Sequence, residues 1–257
     1  MQVSCIAFRF KHPMNSPISL ADWLVLLLWL AQWVGYVYWA ERSANHRSSL
    51  IGSIHPLRHL WMKNSLQREN RIADAALVGN LMQSSTFFSS TTLLILGGLV
   101  ALLGTAEKGV SVVSSIPFAV RPTYEAVEFK TVVMLFVFVH AFIRFTWSLR
   151  QFNVVCIVVG ALPTKATEQR SGATAALVET GTRLSEIAGG HFTQGLRSYY
   201  YSVPILLWYV NAWLFAAASL TITLAIYYME FRSATVAALA LHENEMNRAD
   251  ALVKTEE

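Results

Sequence analysis

The chain has 257 residues, of which 54% are hydrophobic and only 14% charged, and its mean hydropathy is +0.42. That balance excludes an ordinary soluble domain, and no nucleic-acid partner is expected. Two cysteines, Cys5 and Cys156, offer neither a metal spacing nor a disulfide framework, so no cofactor or metal is expected.

In chain order, residues 1–17 read as a tail, with Arg9 and Lys11 ahead of the first apolar run. That run, about 18–39, is too long and too rich in tryptophan for a signal peptide, and no small-residue cleavage site follows it. Asp22 and Trp23 at one end, and Tyr36, Tyr38 and Trp39 at the other, suit the two membrane interfaces. Residues 40–73 form a basic connection in which Pro56 is expected to open an amphipathic helix. Its histidines His46, His55 and His59 have no cysteine or acidic neighbours at metal-ligand spacing.

A second membrane helix is expected over 74–104. Its first half is polar, with Asn80, Gln83, Ser84, Thr86, Ser89 and Ser90, and its second half is apolar with small residues. Such residues suit either close helix packing or a wet vestibule. A loop over 105–122 follows. The third helix, about 128–162, is one unbroken apolar stretch of roughly 50 Å, longer than the ~30 Å hydrocarbon slab. It carries His140, Arg144 and Arg150 where charge is costly, and a 100° wheel places Trp147 and Gln151 on the stripe of His140 and Arg144. Arg144 and Arg150 could bind headgroup phosphates, reach Glu69 or Asp74, or line a path for an anion.

A second connection, 164–197, is expected to hold an amphipathic helix ending at Gly189-Gly190. A fourth membrane helix is then expected over 199–229, with Tyr199 to Tyr201 at one interface and Tyr227 and Tyr228 at the other. The last residues, 234–257, read as a polar tail. The fold class is therefore all-α: a polytopic membrane protein with one four-helix domain over 18–233, helices two and three extended into the cytoplasm, and amphipathic cytoplasmic connections. Eleven basic residues over 39–73 and 150–197, against seven in the N-terminal tail, the loop 105–127 and the stretch from Glu230 onward, put both termini outside the cytoplasm by the positive-inside rule. A bacterial-type inner (plasma) membrane is the expected location.

Several polar motifs then carry a family resemblance. Arg58-His-Leu-Trp-Met62, Arg68-Glu-Asn-Arg-Ile-Ala-Asp74, Phe142-Ile-Arg-Phe-Thr-Trp-Ser-Leu-Arg-Gln-Phe-Asn153, Gly195-Leu-Arg-Ser-Tyr-Tyr-Tyr201 and Glu230-Phe-Arg-Ser233 are similar to the domain-of-unknown-function 599 family of integral membrane proteins. The resemblance covers about residues 20–233. It implies the four-helix reading and implies no activity.

No nucleophile elbow, phosphate loop or paired-carboxylate spacing is present, so an enzyme is not expected. The functional expectation is an oligomeric channel or transporter for a small anion. Its basic, hydroxyl-rich lining would draw on His140, Arg144, Trp147, Arg150, Gln151 and Asn153 facing Asn80, Gln83, Ser84, Thr86, Ser89 and Ser90. The alternative is a structural or accessory subunit that binds lipid or a larger membrane complex. Arg58, Trp61, Arg68, Glu69, Arg71, Asp74, Arg197, Glu230 and Arg232 are the candidates for anchoring its connections. Expected partners are membrane lipids and either further copies of the chain or a larger membrane complex.

Overall fold

The computed structural model describes residues 18–44, 49–115, 123–163 and 171–241, and among these every regular element is a helix. The elements are α1 (Leu20–Ala44), α2 (Leu50–Ser65), α3 (Ile72–Gly104), α4 (Ala106–Ser114), α5 (Tyr124–Ala161), α6 (Ser171–Trp208) and α7 (Ala212–Phe231), with a last helical stretch over 234–241. The expected tails beyond residues 18 and 241 lie outside the described residues.

Local chemistry fixes the starts. Ser19 and Asp22 form a reciprocal capping box: Asp22 N donates to Ser19 Oγ at 3.1 Å, and Ser19 N donates to Asp22 Oδ2 at 3.2 Å. Ser49, Thr123 and Asn211 cap α2, α5 and α7 by accepting from the backbone of Gly52, Ala126 and Trp213. Pro56 therefore does not open α2, as the sequence suggested. Ser49 does so about two turns earlier, and Pro56 sits inside the helix.

Among the described residues four helices are long and apolar enough to cross a membrane: Leu20–Arg42, Ile72–Gly104, Tyr124–Ala161 and Ala212–Leu241. The expected fourth helix over 199–229 is not one element. The chain leaves α6 at Trp208, turns through Tyr209, Val210 and Asn211, and returns as α7 antiparallel to α6. The first part of that run belongs instead to α6, which continues through Gly189 and Gly190 where a helix end was expected. Helix-interior glycine costs only about 1 kcal/mol, and here it permits close approach. A Cβ at Gly195 would meet the Phe145 ring at 2.6 Å, and one at Gly189 the Arg58 guanidinium at 2.5 Å.

The helices build two layers with separate cores. The wide layer gathers α1, α7 and the adjoining halves of α3, α5 and α6 around Trp29, Trp33, Tyr201, Trp208, Phe215 and their neighbours. The narrow layer gathers α2 with the other halves of α3, α5 and α6 around Met62, Val78, Phe152, Val155, Val178 and Ala188.

Polar side chains mark both rims of the wide layer. At one rim Trp208 Nε1 donates to Asp22 Oδ1 at 2.7 Å, and Lys130 Nζ donates to the Trp208 carbonyl at 2.8 Å. At the other rim Arg197 pairs with Glu230, Tyr36 Oη donates to Glu230 Oε2 at 2.9 Å, and Gln194 donates to Glu41. Asp22 to Glu41 along α1, and Asn211 to Glu230 along α7, each rise about 29 Å, close to the thickness of the hydrocarbon slab. Between the rims large apolar side chains face outward, among them Leu27, Leu94, Phe136 and Leu220.

Because α1 and α7 run parallel, the described ends of the chain emerge at opposite ends of the bundle. The expectation of both termini outside the cytoplasm counted 199–229 as a single crossing, whereas α6 and α7 each run between the two rims of the wide layer.

Candidate functional site

The polar side chains of the bundle concentrate where the two layers meet. On α5, His140 and Arg144 are one turn apart and face α6. Ser198 Oγ donates to the Gln194 carbonyl at 3.0 Å, so at its 2.9 Å contact with His140 Nδ1 it accepts. His140 therefore carries its proton on Nδ1, and its Nε2 accepts from Arg144 Nε at 3.2 Å. Arg144 Nη1 donates to His191 Nδ1 at 3.3 Å. The hydrogen-bond pattern thus gives two neutral imidazoles holding one guanidinium. Trp33 closes on His140 edge-on at 5.4 Å, and Trp147 stands edge-on to His191 at 6.5 Å. Arg150 lies over the Trp147 ring at 5.4 Å.

The neighbouring charge of Arg197 is compensated. Arg197 is 2% exposed and makes two bonds to Glu230, at 2.8 and 2.7 Å, while its guanidinium lies 5.6 Å from the centre of the Tyr36 ring. Among the described residues no carboxylate forms an ion pair with Arg144. The suggested partners are elsewhere: Glu69 is exposed, and Asp74 is fully buried in the narrow layer.

Asp74 Oδ1 accepts from Trp61 Nε1 at 2.8 Å and from Arg68 Nη1 at 2.5 Å, which ties α2 and the following turn to α3. Arg71 caps the end of α5, donating to the carbonyls of Val159, Leu162 and Pro163 at 3.0, 2.5 and 2.7 Å. Arg58 packs on Gly189 of α6, and burial pulls its guanidinium below the ordinary pKa, opposed by Glu186. Arg232 is exposed at the end of α7.

The hydroxyl-rich half of α3 does not meet this cluster. Asn80, Gln83, Ser84, Thr86 and Ser90 are exposed on the outer side of α3. Ser84 and Thr86 return their hydroxyls to their own helix, at 3.1 and 2.9 Å. Ser89 is buried, and its neighbours Ser85 and Thr92 bond to Ser148 and Tyr199. Gln151 is half-buried and Asn153 exposed. By the antiparallel pairing of Phe88 with Phe145, Ser84 on α3 stands level with Arg150 on α5. Arg150 is about 30 Å along α5 from Lys130 at the far rim. Most of the polar half of α3 thus lies at or beyond the rim of the wide layer.

Sequence reasoning does not single out His191, Ser198, Tyr36 or Asp22 as partners. Their signal is a polar side chain inside an apolar helix, but pairing them needs the α5–α6 register. No metal-holding group of His, Cys, Asp and Glu occurs among the described residues.

A family model described as "Protein of unknown function, DUF599" matches residues 24–235. No curated protein and no solved structure matches the chain.

Proposed function

This chain belongs to the DUF599 family of proteins of unknown function, and we propose from its own side chains that it is a structural, lipid-binding membrane subunit. On this reading the wide layer sits in the bilayer and the narrow layer forms a polar platform at one face. The observation that carries the proposal is the filled interior of the wide layer. Trp29, Trp33, Tyr201, Trp208 and Phe215 are each at most 6% exposed and pack ring against ring between the helices. A path for ions has no room along that axis. The platform is assigned to the cytoplasm because Arg42, Arg58, Lys63, Arg68, Arg71 and Arg183 gather at its end.

A second reading, passage of a small anion between copies of the chain, is favoured by the outward Gln83, Thr86 and Ser90 on α3. One experiment separates the two. In proteoliposomes loaded with a chloride-sensitive dye, the structural reading expects leakage equal to that of empty vesicles under an applied potential. Flux above that level, reduced by Arg144→Ala, would overturn it in favour of conduction.

A further inference from the structure

We propose that Arg144, with Arg150 and Trp147, binds the phosphodiester headgroup of a membrane phospholipid at the junction of the two layers. The proposal rests on the lipid-binding reading above and deepens it.

Three observations converge. Arg144 spends two donors on neutral imidazoles, which position the guanidinium without neutralising it. Its Nη2 makes no hydrogen bond to another described residue and is not fully buried, so that edge can take a further acceptor. A half-buried cation without a counter-charge at the edge of a bilayer calls for an anion, and the planar fork of arginine matches phosphate oxygens.

The second observation is depth. Arg144 lies about 21 Å and Arg150 about 30 Å along α5 from Lys130. Both guanidiniums can therefore reach the headgroup region of one leaflet. Trp147 stands between them at 45% exposure, the position of an interfacial aromatic, with Arg150 against its ring.

The third observation distinguishes a lipid from a free anion. Val132, Phe136, Val139 and Ile143 form one outward stripe of α5 that leads to Trp147, at 49, 66, 39 and 54% exposure. An acyl chain can lie along this stripe while its phosphate reaches Arg144. Inorganic phosphate gains nothing from it.

The test is lipid binding to the full chain in mild detergent, read by native mass spectrometry. Phosphatidylglycerol, phosphatidylcholine and inorganic phosphate are titrated separately. Phosphatidylglycerol binding is expected to weaken tenfold or more in Arg144→Gln and severalfold in Arg150→Gln. Arg183→Gln, an exposed cation of the narrow layer, is expected to change it less than twofold. Inorganic phosphate in excess is expected not to displace the lipid. Arg144→Lys, which keeps the charge and loses the fork, guards against misfolding and should bind with intermediate strength.

Equal loss in Arg183→Gln and Arg144→Gln would overturn the site, as would lipid binding unchanged in Arg144→Gln. Displacement by inorganic phosphate would assign the site to a free anion and overturn the lipid headgroup. Anion flux with lipid binding intact would sink the structural reading alone, so the two failures are distinguishable.

Discussion

The two layers solve the same packing problem with different materials. The wide layer is filled by rings, with Trp29, Trp33, Tyr201, Trp208 and Phe215 packed between its helices. Its outward face is apolar as well, so burial cannot distinguish inside from outside there, and polar pairs at the rims supply register. The narrow layer has a smaller, mostly aliphatic core of Met62, Val78, Phe152, Val155 and Val178. Arginines clamp it: Arg71 on the end of α5, Arg68 on Asp74 and Arg58 on Gly189. Where the outward face is as apolar as the interior, polar pairs fix the arrangement. In the narrow layer a short apolar core suffices and the arginines close the seams.

The largest expected effect breaks the rim of the wide layer. Glu230→Gln leaves Arg197 buried at 2% exposure without a counter-charge. Losing one partner of such a pair costs about 3–5 kcal/mol. Thermal unfolding in detergent, followed by tryptophan fluorescence, should shift strongly downward, because the tryptophan-rich core adjoins that rim. Tyr36→Phe removes one bond to the same carboxylate and should cost about 1 kcal/mol.

Next comes the narrow layer. Asp74→Ala leaves the Trp61 indole and the Arg68 guanidinium unpaired, at about 2–3 kcal/mol since Arg68 is partly exposed. Hydrogen exchange should then rise in α2 while the amides of α1 and α7 stay protected. Equal loosening of α1 would show that the layers unfold as one unit and would remove the contrast between them.

The long helices were legible because their apolar runs have no competing pattern. The sequence-based bounds for α3 and α5 fall within a few residues of those observed. The turn at Tyr209 to Asn211 was not. Asn211 is the lone amide in the apolar run 202–229 and a good N-cap type, yet an apolar run of that length also suits a single crossing. The reversal is settled by tertiary contacts: Trp208 on Asp22, Tyr209 Oη on Thr131 at 2.8 Å and Arg197 on Glu230. None of these can be read from local propensity. The cluster around Arg144 was half legible. A wheel puts His140 and Arg144 on one face, but their partners His191 and Ser198 lie 47 and 58 residues away. The outward turn of Gln83 and Ser90 depends on which side of α3 meets α5, and a helix that is small or polar nearly all round leaves that undecided.

The smallest effects sharpen the contrast within a single helix, since α6 passes through both layers and carries glycines of opposite meaning. Gly195 faces the Phe145 ring, and an added Cβ would lie 2.6–2.8 Å from three of its atoms. That ring also stacks on Phe88 at 5.2 Å and is fully buried, so it cannot swing aside. Gly195→Ala should therefore cost about 1–3 kcal/mol by overpacking. Gly190, five residues earlier in the same helix, has open space around its Cβ position. There an alanine meets nothing and reduces only the freedom of the unfolded chain, so Gly190→Ala should stabilise by about 0.5–1 kcal/mol. The pair is read by the same melting curve, in opposite directions. A downward shift for both would mean that the outward face of Gly190 is covered in the assembled protein, which would locate a packing surface on α6 beside the Arg144 cluster.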